Sequence, residues 1–274
     1  MSLASSLEKL KHSLKKSPRM PLVFLGHGSP MNVIEDNPFS RSWAELGRSL
    51  PRPQAILVIS AHWMTRGTTL VDVSANPRTI HDFYGFPEEL YAKQYPANGH
   101  PQLAGEVATL LSPYQVETDD TWGLDHGAWA LLDALFPAAD VPVFQLSVDI
   151  TQTMDWHLRI GQTLSELRDR GVLILGSGNI VHNLRALRFD GKAHDWALEF
   201  DRFVADRLNE RNFAALADVS SMGQLMNMAN PTLEHYAPAL TIAGASSSKD
   251  ELFFATETID LGSIAMRSFV FHGG

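Results

Sequence analysis

Short apolar runs alternate with amphipathic stretches along most of the chain. Residues 22–25 form an apolar run of strand length that a glycine follows, and residues 55–60 form a second strand-like run that is apolar up to Ser60. Between the two runs, apolar side chains recur at steps of four, three and four. This spacing places them on one face of a helix: Phe39, Trp43, Leu46 and Leu50.

The alternation continues towards the C-terminus. Further strands are predicted at residues 115–117, 141–148 and 172–175, and two closing strands near Leu252 and Ile264. Helices are predicted at residues 103–111, 127–136, 151–170 and 194–210, and from about residue 233. Strands that alternate with helices are typical of an α/β fold. We therefore expect one domain with a mainly parallel or mixed central sheet and helices on both faces.

Composition agrees with a single folded domain. The chain has 274 residues, of which 45% are hydrophobic and 19% charged, enough apolar material for one sizeable core. Within the first 20 residues, leucines recur at helical spacing, which predicts a short amphipathic N-terminal arm over residues 1–20: Leu3, Leu7, Leu10 and Leu14. No segment has the heptad pattern of a coiled coil, so the oligomeric state stays open.

Charge and hydropathy argue against two classes of partner. There are 22 basic and 31 acidic residues, a net charge of −9, and the short run KHSLKK near the start is the one basic cluster. Nucleic acid and anionic membranes are therefore not expected partners. No apolar run reaches the ~18 residues that cross a bilayer, and the first residues lack the apolar stretch of a secretory signal. A cytoplasmic location is the resulting expectation.

The chain contains no cysteine. Disulfides, thiolate metal sites, iron–sulfur clusters and cysteine nucleophiles are thereby excluded. Any metal ion must be held by His, Asp or Glu. Hydrolase and nucleotide signatures are also missing, because there is no GxSxG elbow around Ser29 and GHGSP lacks the spacing of phosphate-binding loops.

Three of the eleven histidines come directly after predicted buried strands. His27 follows the first strand in GHGSP, His62 follows the second in SAHW, and His182 comes four residues after GVLILGSG. The carboxyl ends of parallel strands face one crevice, where ligands bind. A histidine taken alone is more often a hydrogen-bonded loop or core residue. Three at strand ends beside glycines favour a shared site.

Two further histidines have suggestive neighbours. His126 lies in WGLDHGAW beside Asp125, whose simplest role is to cap a helix. His235 lies in NPTLEHYAPAL beside Glu234. Imidazole and carboxylate both suit Fe(II) or Zn(II), so either residue could complete a metal site. Six histidines are not expected to carry chemistry: His12, His81, His100, His157, His194 and His272.

An aromatic-rich segment, HDFYGFPEELY over residues 81–91, is more elaborate than a connector needs. It could be a small hydrophobic cluster, or a wall or lid for a planar substrate. Cationic anchors for a substrate carboxylate could be Arg66, Arg78 or Lys93, but each of these could equally be solvated.

Several blocks in order resemble one family. GHGSPMN, SAHW, HDFYGFPEELY, the YPA at residues 95–97, GLDHGAW, GSGNIVHNL and NPTLEHYAP are similar to the blocks of class III extradiol ring-cleavage dioxygenases, in particular the 4,5-DOPA dioxygenase group. The resemblance runs from about Pro21 to the C-terminus. It implies an extradiol dioxygenase catalytic domain over residues 21–274, with the arm of residues 1–20 outside it.

The resemblance also implies roles for the histidines. It implies a non-haem centre with Fe(II) for catalysis and Zn(II) as a possible occupant, held by His27, His62 and His235. Distant members of the class use a carboxylate as third ligand, so Glu234 remains an alternative. His182 would be the general base and could also close on the metal when no substrate is bound. His126 would orient the substrate and handle a proton.

The implied substrates are a catechol and O2. Insertion of both oxygen atoms beside the diol would open the ring of a catechol such as L-DOPA at the 4,5 position and give a muconic semialdehyde-type product. The residue types alone leave two alternatives open. One is a zinc hydrolase that uses the same histidines, and the other is a catalytically silent relative that keeps the metal site.

Overall fold

Eight strands form one mixed sheet at the centre of the computed structural model, which describes residues 18–273. Residues 1–17, which contain the leucines of the helix predicted for the N-terminal arm, lie outside the described residues. The strands of the large sheet are β1 (Leu22–Gly26), β2 (Ala55–Thr65), β3 (Thr69–Asp72), β4 (Val116–Asp119), β5 (Val143–Asp149), β6 (Val172–Gly178), β7 (Asp250–Thr256) and β10 (Ser268–Gly273). Two short strands, β8 (Ile259–Asp260) and β9 (Ile264–Ala265), pair separately.

The order of strands across the large sheet is β4-β3-β5-β2-β6-β1-β10-β7. The four central strands, β5, β2, β6 and β1, are all parallel. Antiparallel pairing occurs only towards the edges of this sheet, where β3 meets β5 and where β10 meets β1 and β7. The carboxyl ends of the central strands therefore open on the same edge, as the sequence predicts.

Nine α-helices connect or flank these strands within the described residues. They are α1 (Pro38–Ser49), α2 (Glu88–Tyr91), α3 (Pro101–Leu110), α4 (His126–Leu135), α5 (Met154–Leu164), α6 (Asp195–Asn209), α7 (Phe213–Ala217), α8 (Gly223–Ala229) and α9 (Ala237–Ala245). No helix within residues 18–273 is both long and apolar enough to span a membrane.

Side chains of the central strands are buried on both faces of the sheet. In β1, Val23 and Leu25 pack in the core that contains α1 and α4, whereas Leu22 and Phe24 pack in the core that contains α5, α6 and α9. Successive side chains of a strand point to opposite faces, so an uninterrupted apolar run needs cover on both. The predicted α/β fold with helices on both faces is confirmed.

Some element boundaries differ from the prediction, each for a local reason. Helix α5 begins only at Met154, because the side chain of Thr153 accepts a hydrogen bond from the Trp156 amide and caps the helix there. Beyond Leu164, the chain continues as a 3₁₀-helix, Ser165–Arg170. Helix α9 begins at Ala237, four residues later than predicted, with a proline in its first turn.

Two differences concern strands. Strand β3 was not predicted, because its short sequence, TLVD, has a polar residue at each end and shows neither an apolar run nor a clear alternation. The strand predicted near Ile264 is only the short β9, which pairs with β8, and the last strand of the large sheet, β10, begins at Ser268.

Helices α5 and α9 touch through two glycines. A Cβ atom added to Gly161 would stand 2.0 Å from the carbonyl oxygen of Thr241, and one added to Gly244 would stand 2.0 Å from that of Leu158. The two helix backbones are therefore in direct contact. This contact matters for the functional site, because α9 carries at its start the turn that contains His235.

Replacement of Gly244 by alanine should lower the free energy of unfolding by about 1–3 kcal/mol, because the helices must separate to admit the methyl group. Gly105→Ala is the matched control. Gly105 lies within α3 with open space around its Cα, so the substitution should raise stability by up to ~1 kcal/mol through helix propensity. Urea unfolding of both variants measures the difference. Equal stability of the two variants would contradict the close contact.

Candidate metal centre

Three histidines meet at the carboxyl edge of the central sheet. His27 follows β1 directly, His62 lies near the end of β2, and His235 lies in the turn before α9. One ring nitrogen of each lies within 4.8 Å of those of the other two. The Nε2 atoms of His27 and His62 are 3.2 Å apart. His27 and His235 are buried, and His62 is half-buried.

The neighbouring strands β1 and β6 place His27 and His235 at one level. Gly26 pairs with Gly178 at the ends of these strands, and the amide of His27 donates a hydrogen bond to the carbonyl of Gly178. The turn with His235 rests directly on Gly178, where an added Cβ would stand 2.2 Å from the carbonyl oxygen of His235. Only glycine permits this approach.

An irregularity in β2 places His62. The register of β2 against β5 shifts between Ile59 and Met64, and His62 lies within that interval. Bulges of this kind redirect side chains next to active sites. The shift lets the side chain of His62 leave the regular alternation of the strand and reach His27.

The ring of His27 is held in one tautomer by Ser177 of β6. The Nδ1 atom of His27 lies 2.9 Å from the hydroxyl of Ser177, which itself donates to the carbonyl of Gly127 at 2.6 Å. A hydroxyl has one proton, so the Nδ1–H of His27 must be the donor. The Nε2 atom of His27 therefore offers a lone pair to the site.

Glu234 holds the ring of His235 in one tautomer. The Nδ1–H of His235 donates to Oε1 of Glu234 at 3.0 Å, and Thr232 donates to the same oxygen at 2.9 Å. The Nε2 atom of His235 is buried and has no hydrogen-bond partner within residues 18–273. An unpartnered buried acceptor costs free energy unless something else satisfies it.

Asp82 serves two histidines at once. Its Oδ2 atom lies 3.2 Å from Nδ1 of His62 and 3.0 Å from Nδ1 of His126, and its Oδ1 atom accepts from the backbone amide of His126 at 2.8 Å. Burial acts to raise the pKa of Asp82, but hydrogen bonds from His126 and His62 outweigh it and hold this pKa well below its usual value. Asp82 is therefore an anion at neutral pH.

The three-histidine group fits a metal ion. The Nδ1 atoms of His27, His62 and His235 all have outward partners, so their Nε2 atoms are free to turn lone pairs to one space. Two imidazoles bound to one ion at about 2.1 Å stand roughly 3 Å apart, close to the separation seen here. Burial, together with the neighbouring imidazoles, lowers the pKa of His27 and of His235 well below the usual value. Neutral imidazole is the state that binds metals.

His182 lies beside this group and not within it. Its ring stacks on that of His235, with centroids 3.5 Å apart and an angle of 8° between the planes. Its nitrogen groups with Glu234 and His235, whereas the group around His27 and His62 does not include it. Burial lowers the pKa of His182 to about 4, against the opposing effect of Glu234, so its imidazole is neutral at pH 7.

His126 opens α4 on the other side of His62. The ring centroids of the two residues are 3.9 Å apart. Asp125 caps the helix by accepting a hydrogen bond from the amide of Ala128, which confirms its expected role. Phe83, from the aromatic segment of residues 81–91, packs edge-on against His126 with centroids 5.6 Å apart. This segment therefore brings both Asp82 and an aromatic wall to the site.

Of the three candidate anchors for a substrate carboxylate, two are engaged by other groups and one is exposed. Lys93 pairs with Asp133 at 3.2 Å, and the Nε–H of Arg78 donates to the backbone carbonyl of Trp122. Arg66 is exposed. Ser29 caps a 3₁₀-helix, which accounts for it without chemistry.

Sequence reasoning missed two residues that hold the histidines and gave a third another role. Ser177 and Asp82 were not identified, and Glu234 was considered only as a ligand. Asp82 stands beside His81 in the aromatic segment, but its partner His126 is 44 positions away. No local pattern relates two such residues.

Comparison with known proteins places this geometry in a family. Residues 20–261 match the family described as the catalytic LigB subunit of aromatic ring-opening dioxygenase. A protein from Escherichia coli K12 named 4,5-DOPA dioxygenase extradiol is 44% identical over 94% of this chain and 97% of its own length. A protein of the same name from Beta vulgaris is 37% identical over 90% and 95%.

A solved structure agrees with these matches. The crystal structure of the uncharacterized protein JW3007 from Escherichia coli K12 aligns with a TM-score of 0.80 and 40% identity, and covers 93% of this chain and 100% of that one. The resemblance found from the sequence blocks is thus confirmed over most of the chain. The chain belongs to the LigB family of class III extradiol ring-cleavage dioxygenases.

Proposed function

We propose that this enzyme cleaves the ring of a catechol such as L-DOPA at the 4,5 position with O2 and forms a muconic semialdehyde-type product. The observation that carries the proposal is the convergence of three imidazole lone pairs, from His27, His62 and His235, beside two further histidines. The names of the relatives from Escherichia coli and Beta vulgaris support L-DOPA as a substrate to test first.

We assign the metal to His27, His62 and His235, with Fe(II) as the catalytic ion and Zn(II) as a possible occupant. When bound, the ferrous ion would orient the catechol and O2 and relay electrons between them. The protein holds the three rings through Ser177, Asp82 and Glu234, with no exposed side chain needed for support. Such outer contacts fix ring orientation and raise ligand basicity.

The two remaining histidines would handle protons. His182 is neutral at pH 7, so it can accept a proton from a catechol hydroxyl. His126 donates its Nδ1 proton to Asp82, which leaves Nε2 as the atom that can exchange a proton with substrate. One base therefore lies on the side of His235, and one proton-handling group lies on the side of His62.

The experiment that tests the reaction is anaerobic reconstitution with Fe(II), followed by oxygen-electrode and absorbance traces with L-DOPA, caffeate and protocatechuate. We expect stoichiometric O2 consumption and a new yellow chromophore in the iron form alone, because the metal must relay electrons. The Zn(II) form is the control. A fully loaded iron site that consumes no O2 with any catechol would favour the zinc hydrolase or the silent metal-binding relative.

Alanine variants separate ligands from proton-handling residues. We expect His27→Ala, His62→Ala and His235→Ala to lose the metal, because each removes one of three donors. His182→Ala and His126→Ala should keep the metal and lose about 10²–10⁴-fold in kcat. Metal analysis and steady-state kinetics on the same preparations measure both effects. Full metal content in His235→Ala would move the third ligand to Glu234, and metal loss in His182→Ala would make that residue a ligand.

Asp82→Asn tests how the ligands are positioned. In the amide, one of the two carboxylate oxygens becomes an NH2 donor, so the side chain can no longer accept both from the backbone amide of His126 and from the Nδ1–H groups of His126 and His62. We expect metal affinity to fall by roughly 10–100-fold while the protein stays folded. Asp140→Asn is the control, since Asp140 pairs with Arg52 at the surface. Metal titration monitored with a competing chelator gives the metal dissociation constant of each variant. Equal affinity in the two variants would show that Asp82 does not set the state of His62.

A further inference from the structure

The first turn of α4 rests on the end of β2. Helix α4 begins at His126, and Gly127 is the next residue. A Cβ atom added to Gly127 would stand 2.6 Å from Oγ of Ser60 and 2.9 Å from Cδ2 of His62. Both distances are shorter than a side chain tolerates, so only glycine permits this approach. The turn is therefore in direct contact with the strand that carries His62.

Asp125, which precedes this turn, makes more hydrogen bonds than a helix cap needs. The residue is fully buried. Its Oδ1 atom accepts from the amide of Ala128 at 3.1 Å, which is the capping bond, and also from the hydroxyl of Ser60 at 2.6 Å. Its Oδ2 atom accepts from the indole Nε1–H of Trp122 at 3.3 Å. The bond with Ser60 ties the start of α4 to β2.

Ser60 connects Asp125 to His62. The hydroxyl of Ser60 donates its one proton to Asp125, so its oxygen is free to accept from the backbone amide of His62, at 3.2 Å. Ser60 lies in the interval where β2 departs from its register against β5. The bond with Ser60 therefore holds the backbone of His62 where the strand itself is irregular.

A second serine makes the matching connection to His27. Ser177 of β6 pairs with Ser60 in the parallel ladder, and both serines are fully buried. The hydroxyl of Ser177 donates to the carbonyl of Gly127 and accepts from Nδ1–H of His27. Two neighbouring serines thus carry contacts from one helix turn to two members of the three-histidine group.

We propose that the first turn of α4 positions two metal ligands through this pair of serines. Asp125 acts through Ser60 on the backbone of His62. The carbonyl of Gly127 acts through the other serine on the ring of His27. Residues that orient metal ligands from outside the coordination sphere typically change metal affinity by about 10–100-fold. The inference rests on the proposed function, because it takes the two histidines as ligands.

Ser60→Ala removes the first connection and leaves the capping bond of Asp125 in place. We expect its Zn(II) dissociation constant to rise about tenfold or more. Ser147→Ala is the matched control, since Ser147 is also buried in a strand and accepts from a backbone amide, that of Leu70, at 2.8 Å. Zinc titration against a competing chelator measures both proteins without turnover. The visible absorption of the Co(II)-loaded proteins reports ligand geometry and should change in Ser60→Ala alone.

A double variant tests the route from Asp125. We expect Asp125→Ala to weaken zinc binding about tenfold. Thr153→Ala, which removes the cap of α5, should leave zinc binding unchanged, although both variants lower the midpoint of urea unfolding. If Asp125 acts through Ser60, the protein with both Asp125→Ala and Ser60→Ala should bind zinc no more weakly than Asp125→Ala alone. Losses that multiply would overturn this route.

Gly127→Ala displaces the turn itself and should also weaken zinc binding about tenfold. Gly47→Ala is the control, because its methyl group would stand 2.3 Å from the carbonyl oxygen of Leu135, at the other end of α4. Equal zinc affinity in these two proteins would overturn the role of the turn.

The metal assignment and this inference can fail separately. If Asp125→Ala or Gly127→Ala does not fold, the comparison of Ser60→Ala with Ser147→Ala decides. Equal zinc affinity and equal Co(II) spectra of those two proteins would overturn the inference while the metal assignment stands. An unaltered protein that binds no zinc would overturn the metal assignment and the inference together.

Discussion

The outward hydrogen bonds of three imidazole Nδ1 atoms are the constraint on which the rest of the site depends. Each bond goes to a different acceptor, namely Ser177, Asp82 and Glu234, and each leaves an Nε2 lone pair facing the same space. A ring that lost its acceptor could place its proton on Nε2 and cease to be a ligand. The arrangement of the three Nε2 atoms thus depends on six residues. Three are the histidines, and the other three hold the rings by hydrogen bonds without facing the space between the Nε2 atoms.

The fold supplies these six residues from elements that would not otherwise meet. Two parallel strands end together at Gly26 and Gly178, the second strand shifts its register at His62, and the turn before α9 rests on a glycine. The aromatic segment of residues 81–91 adds Asp82 from outside the sheet. Because that one carboxylate contacts both His62 and His126, the proposed metal centre and the proposed proton-handling residue share a support.

Glu234 links the metal centre to the neighbouring cavity. One oxygen of its carboxylate holds His235, and the residue also lines a cavity of about 230 Å³ beside the end of β5 and the start of α5. Because electrostatic interactions are strong in buried surroundings, a charge placed in this cavity would act on the group that orients a proposed metal ligand.

The sequence by itself determined the alternation of strands and helices, the cover on both faces of the sheet, the histidines at strand ends and the family. These features follow from local periodicity and from motifs that are contiguous in the chain. Only the tertiary structure decided which nitrogen of each imidazole carries the proton. It also decided that His182 stacks on His235 outside the three-histidine group, and that His157 lines a cavity. Hydrogen bonding, stacking and burial depend on distances between residues far apart in the chain, which no local pattern encodes.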